Sequence, residues 1–316
     1  MTEPRLVPVF IGGCGRSGTT LLGSILGAHR DCVCTPESPF KTDVLRRFDL
    51  APEHAGARLE FVLRNRRFQL WGLDPDALRT QAAQLDGSYA TLLDWLVRQY
   101  AEHVDRPAAR LWIDHTPENA RFAATLGELF SAAKFVHIVR DGRGVAASIL
   151  PLDWGPNTID QAARWWLDAV GYGLAAESWG GAQQRTLRVR YEDLVLDAET
   201  TVRRLCDFLQ LDFQPDMLKA DGFKVPGYST KQHSLVGTAP QSGRVAAWEC
   251  ELTTRQIEIF ESVAGEMLRL LGYAPRFGLR ARKATRSENV LMRMRDMYSA
   301  KLVNRIRLRQ RKTRSS

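Results

Sequence analysis

Residues 6–26 read LVPVFIGGCGRSGTTLLGSIL and carry the clearest fold signal in the chain. The apolar run over residues 6–11 predicts a buried strand, and the glycines that follow it predict a turn. From Thr20 onward, leucine and isoleucine recur at helical spacing. The segment therefore predicts a strand, a glycine-rich turn and a helix in direct succession.

The same order of elements recurs further along the chain. Residues 134–139 (KFVHIV) predict a second buried strand, and the turn RDGRG and an apolar helical segment follow it. Further strands are predicted at residues 110–114 and 187–190. Helical patterns lie at about 56–67, 76–84, 88–103, 118–130, 159–178, 198–209 and 253–270. Short strands that alternate with helices predict an α/β fold, with a parallel sheet covered by helices on both faces.

The charge of the chain is concentrated at one end. The sequence has 316 residues, 44% of them hydrophobic, which is enough for a buried core and argues against global disorder. The formal net charge is +8, but residues 280–316 hold thirteen basic and two acidic residues, leaving 31 basic and 34 acidic residues in 1–279. We therefore expect a slightly acidic catalytic domain over 1–279 and a basic amphipathic tail over 280–316. The acidic body argues against a nucleic-acid-binding protein.

Cysteine usage and the chain's N-terminal residues bear on its environment. The five cysteines are an odd set with no regular spacing, which favours a reduced protein over a disulfide-rich secreted one. No segment resembles a signal peptide or a membrane-spanning helix. From these patterns we expect a cytoplasmic protein, with peripheral membrane association through the tail left open.

The first glycine loop predicts an anion site. Unpaired backbone N–H groups converge where a strand leads through glycines into a helix, and hydroxyl and guanidinium groups add donors. The loop residues in question are Gly15, Arg16, Ser17, Gly18, Thr19 and Thr20. The alternative is a tight turn that needs glycine only for its backbone angles.

A P-loop kinase or nucleoside triphosphatase is the main competing interpretation of this loop. Its motif reads G-x-x-x-x-G-K-[ST]. Gly13 and Gly18 fit that spacing, but Thr19 occupies the lysine position and the cation lies inside the loop as Arg16. Phosphoryl transfer is handled with lysine and magnesium. A sulfuryl group carries less charge, so cations and amide donors suffice and no metal is expected.

The sequence Arg16-Ser-Gly-Thr-Thr-Leu after an apolar strand resembles the phosphosulfate-binding loop of sulfotransferases. These enzymes use 3'-phosphoadenosine 5'-phosphosulfate (PAPS) as the donor and have a P-loop NTPase-like parallel sheet. The arginine in the loop is similar to that of tyrosylprotein and bacterial carbohydrate-type sulfotransferases. The resemblance covers about residues 6–275. It implies transfer of a sulfuryl group to a hydroxyl or amine acceptor.

The resemblance also implies a second nucleotide contact. Arg140 and Ser148 match the family pattern R-D-(x)7-S, in which both side chains bind the 3'-phosphate. Taken alone, this segment also suits a salt-bridged turn with a serine on the helix surface. Tyr191, in RYEDL, matches a tyrosine that lies near the nucleotide in tyrosylprotein enzymes. Arg244, near the end of a predicted long loop over 226–244, matches a further 3'-phosphate contact.

Glu37 and His115 are the candidate acid–base residues. Glu37, in TPESP, lies at the same distance from the loop arginine as the catalytic glutamate of tyrosylprotein sulfotransferases. His115, in DHTPEN, occupies the position of the family's lysine, which assists the leaving group. We expect Glu37 to act as the base, with His115 as a supporting acid or donor. Two alternatives stay open: His115 as the base oriented by Glu37, and a purely structural His115.

The acceptor and the tail are less constrained by sequence. The acceptor is expected to carry a hydroxyl group, on a carbohydrate, a lipid, a small molecule or a tyrosine. The arginines that bind acidic peptides in tyrosylprotein enzymes are replaced here by Pro39 and Asp43.

In the tail, Leu291, Met294, Tyr298, Leu302 and Ile306 recur at helical spacing among arginines. Such a helix suits an anionic membrane surface, a protein partner, a polyanion or its own domain. A polyanion-binding protein that uses the basic tail is therefore a further alternative function.

Overall fold

A parallel sheet lies at the centre of the molecule. The computed structural model describes residues 5–51, 54–82, 85, 88–181, 183–223, 242–299 and 304. The strands are β1 (Val7–Gly13), β2 (Cys32–Thr35), β3 (Leu111–Asp114), β4 (Lys134–Val139) and β5 (Thr186–Arg190). They pair in the order β2-β3-β1-β4-β5, and every pairing is parallel. All five carboxyl ends therefore meet along one edge, with β1 in the middle.

Helices connect the strands and cover the sheet. They are α1 (Thr19–Gly27), α2 (Phe40–Arg47), α3 (Ala55–Leu63), α4 (Pro75–Ala82), α5 (Tyr89–His103), α6 (Ala123–Leu129), α7 (Gly142–Ile149), α8 (Ile159–Gly181), α9 (Tyr191–Leu196), α10 (Ala198–Leu209), α11 (Trp248–Glu251), α12 (Thr254–Leu270) and α13 (Arg286–Tyr298). In the described part of the chain, no helix is both long and apolar enough to cross a bilayer.

The two faces of the sheet are apolar because strand residues alternate between them. On one face, the Phe10 ring lies 5.5 Å from that of Trp112 and 5.6 Å from that of Phe135, under α3, α5 and α6. On the other face, Val9 and Ile11 pack with side chains of α1 and α10. A further cluster joins α7, α8 and α12. The predicted α/β fold with both faces covered is confirmed.

Some boundaries differ from the sequence-based expectation. The helix predicted at 118–130 is a 3-10 helix over Pro117–Phe122 followed by α6. The strand β2 and the helix α2 were not predicted. β2 reads CVCT and lacks the large apolar residues that marked β3, which reads LWID. Residues 226–241 of the expected loop, and Leu302 and Ile306 of the tail pattern, lie outside the described residues.

Candidate active site

The glycine loop between β1 and α1 has the backbone shape that its sequence requires. Arg16 and Gly18 both adopt the left-handed conformation, with φ of 70° and 96°. The Ser17 amide donates to the Cys14 carbonyl at 3.1 Å, which closes the turn. A Cβ on Gly18 would lie 2.7 Å from the ring of Tyr191, so glycine is needed there for space as well as for its backbone angles.

The two predicted nucleotide motifs meet in space. The Arg16 Nε donates to the Ser148 Oγ at 3.1 Å, joining residues that are 132 positions apart. The guanidinium of Arg140 donates to the Arg16 carbonyl at 2.9 Å. The turn after β1 and the turn and helix after β4 are therefore fastened together at the carboxyl edge of neighbouring strands, where α/β proteins bind ligands.

Tyr191 and Arg244 complete this cluster around Arg140. The Arg140 guanidinium lies over the Tyr191 ring at 4.3 Å from its centroid, and it donates to the Arg244 carbonyl at 3.3 Å. The Arg244 side chain is half-exposed and lies 3.9 Å from Glu251. The structure thus brings Arg16, Arg140, Ser148, Tyr191 and the backbone of Arg244 together.

The electrostatics of the cluster favour an anion. Burial and the neighbouring charge of Arg140 lower the pKa of Arg16, and Arg244 acts in the same direction. Within the described part of the chain, the buried Ser17 Oγ has no hydrogen-bond partner. Thr19 and Thr20 lie buried beside it at the start of α1, where the helix dipole is positive. These donors and cations fit a phosphate or sulfate group. The described residues contain no group of three or more His, Cys, Asp or Glu placed to hold a metal ion.

Glu37 lies at the same edge of the sheet, two residues after β2. Its charge raises the pKa of Arg16, so the two groups interact electrostatically. Burial raises the pKa of Glu37 to about 7, although Arg67, whose Nη1 is 3.6 Å from a Glu37 oxygen, opposes that shift. A carboxylate with this pKa exchanges protons near neutrality, as a general base does.

A buried ion pair fixes the loop that carries Glu37. The Lys41 Nζ lies 3.0 Å from the Asp114 carboxylate, and both side chains are almost fully buried. Ser38 ties the loop to the end of β3: its hydroxyl contacts Asp114, and its amide donates to the Thr116 Oγ1 at 2.8 Å. Burial opposes ionisation of Asp114, but Lys41, Ser38 and Thr116 outweigh it and lower its pKa to about 2. The loop is therefore held by a charged network at its base.

His115 directly follows Asp114, and the charges of Asp114 and Lys41 act on its pKa in opposite directions. Its ring packs against Phe223, with 4.9 Å between centroids, and faces Gly23 of α1. Burial lowers the pKa of His115 to about 4, and neither ring nitrogen has a hydrogen bond among the described residues. The low pKa favours a neutral ring near neutral pH, and the expected role of His115 as a supporting acid or donor stays a prediction. The contacts favour the structural alternative.

Several residues of the site were not predicted from the sequence. Arg67 contacts Glu37, and Lys41 and Asp114 act on it electrostatically. Their sequence positions do not show these interactions. Trp165 and Trp154 lie beside the glycine loop, at 3.0 Å and 3.8 Å from where a Cβ of Gly15 would be. The sequence carries no signal for Lys41, since Glu37 precedes α2 and Lys41 pairs with Asp114, 73 positions away.

A family model described as "Sulfotransferase family" matches residues 8–215 of the chain. The chain belongs to the sulfotransferase family. The match includes the loop after β1, Glu37, and the Arg140 and Ser148 segment. Membership supports sulfuryl transfer as the reaction and does not favour the kinase alternative.

Curated relatives agree with this assignment. The chain is 28% identical to protein-tyrosine sulfotransferase A of Caenorhabditis elegans over 279 residues, which is 84% of this chain and 67% of that protein. It is 28% identical to the protein-tyrosine sulfotransferase of Drosophila melanogaster over 220 residues, 68% of this chain and 40% of that protein. The present chain thus spans two fifths of the length of the Drosophila relative.

Two solved structures share the fold. The sulfotransferase domain from the Synechococcus PCC 7002 olefin synthase superposes with a TM-score of 0.63 at 22% identity, covering 87% of this chain and 97% of that one. The sulfotransferase domain from the curacin biosynthetic pathway gives 0.58 at 19% identity, covering 86% and 99%. These likenesses confirm a sulfotransferase fold.

The buried pair of Lys41 and Asp114 gives a testable prediction. Lys41→Met should lower the free energy of unfolding by about 3–5 kcal/mol, because it leaves a buried carboxylate unpaired. Combining Lys41→Met with Asp114→Asn should cost less, since no buried charge is then left. Urea unfolding measures both variants. Equal losses in the single and double variants would contradict the charged network.

Proposed function

We propose that this sulfotransferase transfers a sulfuryl group from PAPS to a hydroxyl acceptor, with Glu37 as the general base. The observation that carries the proposal is the hydrogen bond from Arg16 to Ser148, together with that from Arg140 to the Arg16 carbonyl. Two motifs that the family resemblance assigns to the two ends of one nucleotide therefore lie at one place in the fold.

In this proposal, the donor is held by two groups of residues. The backbone and side chains of residues 15–20 would hold the phosphosulfate, because loop amides, hydroxyls and Arg16 all donate there. Arg140 and Ser148 would hold the 3'-phosphate, with Tyr191 and Arg244 beside them. Burial and like charge already disfavour the cationic form of Arg16, so an anion between the arginines would relieve their repulsion. PAPS supplies the activated sulfuryl group.

In this proposal, Glu37 removes the proton of the acceptor hydroxyl. A general base must reach the acceptor hydroxyl and have a pKa near the working pH. Burial supplies the second condition, and the Ser38, Lys41 and Asp114 contacts hold the loop that carries Glu37. Arg16 stabilises charge on the donor side of the site. A structural role for His115 fits its low pKa and its packing against Phe223.

The proposed acceptor is a molecule with a hydroxyl group. The names of the curated relatives include protein-tyrosine sulfotransferases, which supports an acceptor with a hydroxyl group. That hydroxyl would lie between Glu37 and the glycine loop. Trp154 and Trp165 border the loop and would offer aromatic surface to a phenol, a sugar or an apolar molecule.

Donor binding tests the proposal first. Wild-type protein should bind adenosine 3',5'-bisphosphate more tightly than magnesium-ATP, since the loop lacks the P-loop lysine. Arg16→Ala and Ser148→Ala should each weaken that binding by about tenfold or more, because hydrogen bonds to charged groups contribute ~1.5–3 kcal/mol. Isothermal titration calorimetry measures the affinities.

A matched control removes an arginine elsewhere. Arg30→Ala, which truncates a side chain that is 74% exposed, should leave the affinity unchanged. The nucleotide assignment fails if both site variants bind like wild type, or if magnesium-ATP is the tighter ligand.

The pH dependence tests Glu37. With an acceptor found by screening phenols, sugars and sterols, kcat/KM should rise with pH up to about 7 and then level, because the base acts when Glu37 is deprotonated. Glu37→Gln should lower kcat by ~10²- to 10⁴-fold and abolish this rise of kcat/KM with pH, while donor affinity is kept. His115→Gln is the control and should keep the rise. If the rise persists in Glu37→Gln and disappears in His115→Gln, the assignment is reversed.

A further inference from the structure

Among the residues that the structure describes, helix α13 contacts the rest of the protein through one side. Arg255 of α12 pairs with Glu288 at 2.8 Å, and Asn157 donates to Asp296 at 2.8 Å. Met292 packs at the edge of the cluster formed by α7, α8 and α12. Residues 288, 292 and 296 are spaced by four and therefore lie on one side of the helix. This side faces the domain.

The opposite side of α13 is apolar and exposed. Five large apolar residues on it are between 55% and 64% exposed: Val290, Leu291, Met294, Met297 and Tyr298. At 3.6 residues per turn they form one stripe that covers roughly a third of the helix circumference. Soluble proteins rarely leave a continuous apolar stripe of this kind uncovered unless it serves an interaction.

The charges of the helix are segregated between its two sides. Glu288 and Asp296 are the only acidic residues of α13, and both are engaged by the domain. The basic residues Arg286, Arg293 and Arg295 are exposed and flank the apolar stripe. The side of α13 that faces away from the domain therefore carries apolar and cationic groups and no carboxylate. Residues 300–316 add seven basic residues and no acidic one in sequence.

The apolar stripe continues toward the domain surface. An open cleft of about 180 Å³ lies between α13 and the start of α8, and Leu291 and Met292 line its helix side. Leu150, Ile159 and Ile259 line its other side. Polar and charged side chains complete the lining: Asn157, Thr158, Gln256, Glu288 and Arg295. The apolar part of the cleft adjoins the stripe at Leu291.

We propose that α13 docks the sulfotransferase on an anionic lipid surface. The stripe enters the boundary between headgroups and acyl chains, and Arg286, Arg293 and Arg295 contact the acidic headgroups beside it. This combination of an apolar stripe and flanking arginines fits a bilayer interface. A protein partner that covered the stripe would have to supply both an apolar surface and acidic groups on either side of it. A bilayer with anionic lipids presents both at every position.

The test is co-sedimentation of the full chain with vesicles. The protein should sediment with vesicles of phosphatidylcholine and phosphatidylserine, and much less with phosphatidylcholine alone, and added salt should weaken the binding. Replacing Leu291, Met294 and Met297 together by Ser should lower the partition coefficient by about tenfold or more. Replacing Arg286, Arg293 and Arg295 together by Gln should have a similar effect.

Matched variants remove equal numbers of similar side chains elsewhere. Serine at Leu50, Leu196 and Leu270, which are 47%, 62% and 75% exposed, is the control for the apolar stripe. Glutamine at Arg30, Arg64 and Arg66, all exposed, is the control for charge. Both control variants should bind like wild type. Unchanged thermal unfolding shows that each variant is folded.

Three results would overturn the proposal. One is equal binding to the two kinds of vesicle, and a second is wild-type binding by the apolar α13 variant, which would leave only electrostatic attraction to a polyanion. The third is a dimer, detected by light scattering, that is lost on substitution of the stripe while no vesicle binding occurs. In that case a second copy of the chain covers α13.

Discussion

The hydrogen bonds that join Arg16 to Ser148, and Arg140 to the backbone of Arg16, are the contacts on which the site depends. They connect the turn after β1 to the turn and helix after β4. Because β1 and β4 are neighbours in a parallel sheet, both turns emerge at the same edge. The sheet order therefore converts two motifs that are distant in sequence into one cluster of cations and hydroxyls.

The cationic groups and the carboxylate of Glu37 lie on different sides of β1. The arginines gather between β1 and β4, whereas Glu37 follows β2 on the other side of β1. Burial and mutual repulsion lower the pKa of Arg16, and burial raises that of Glu37 to about 7. Both shifts are expected of a site that binds an anion on one side and moves a proton on the other. The ion pair of Lys41 and Asp114 ties the Glu37 loop to the end of β3. Because β3 neighbours β1, this pair fixes the Glu37 loop relative to the glycine loop after β1.

The sequence predicted which residues gather around the glycine loop better than it predicted the surroundings of Glu37 and His115. Glycine spacing and the R-D-(x)7-S pattern are local, so Arg16, Arg140 and Ser148 could be found without knowing the fold. The neutral state of His115 could not, since it comes from packing against Phe223 and α1. Lys41 was equally hidden, because its role rests on a contact with Asp114 across 73 positions of sequence. The strand β2 was missed because its sequence, CVCT, lacks the large apolar residues that marked the equally short β3.

A crystal structure with adenosine 3',5'-bisphosphate bound tests the central claim most directly. The 5'-phosphate should lie within hydrogen-bond distance of the loop over residues 15–20, and the 3'-phosphate should contact Arg140 and Ser148. The Glu37 carboxylate should face the open side of the 5'-phosphate, where the sulfuryl group is transferred. A nucleotide bound elsewhere, or one whose 3'-phosphate occupies the glycine loop, would contradict the account.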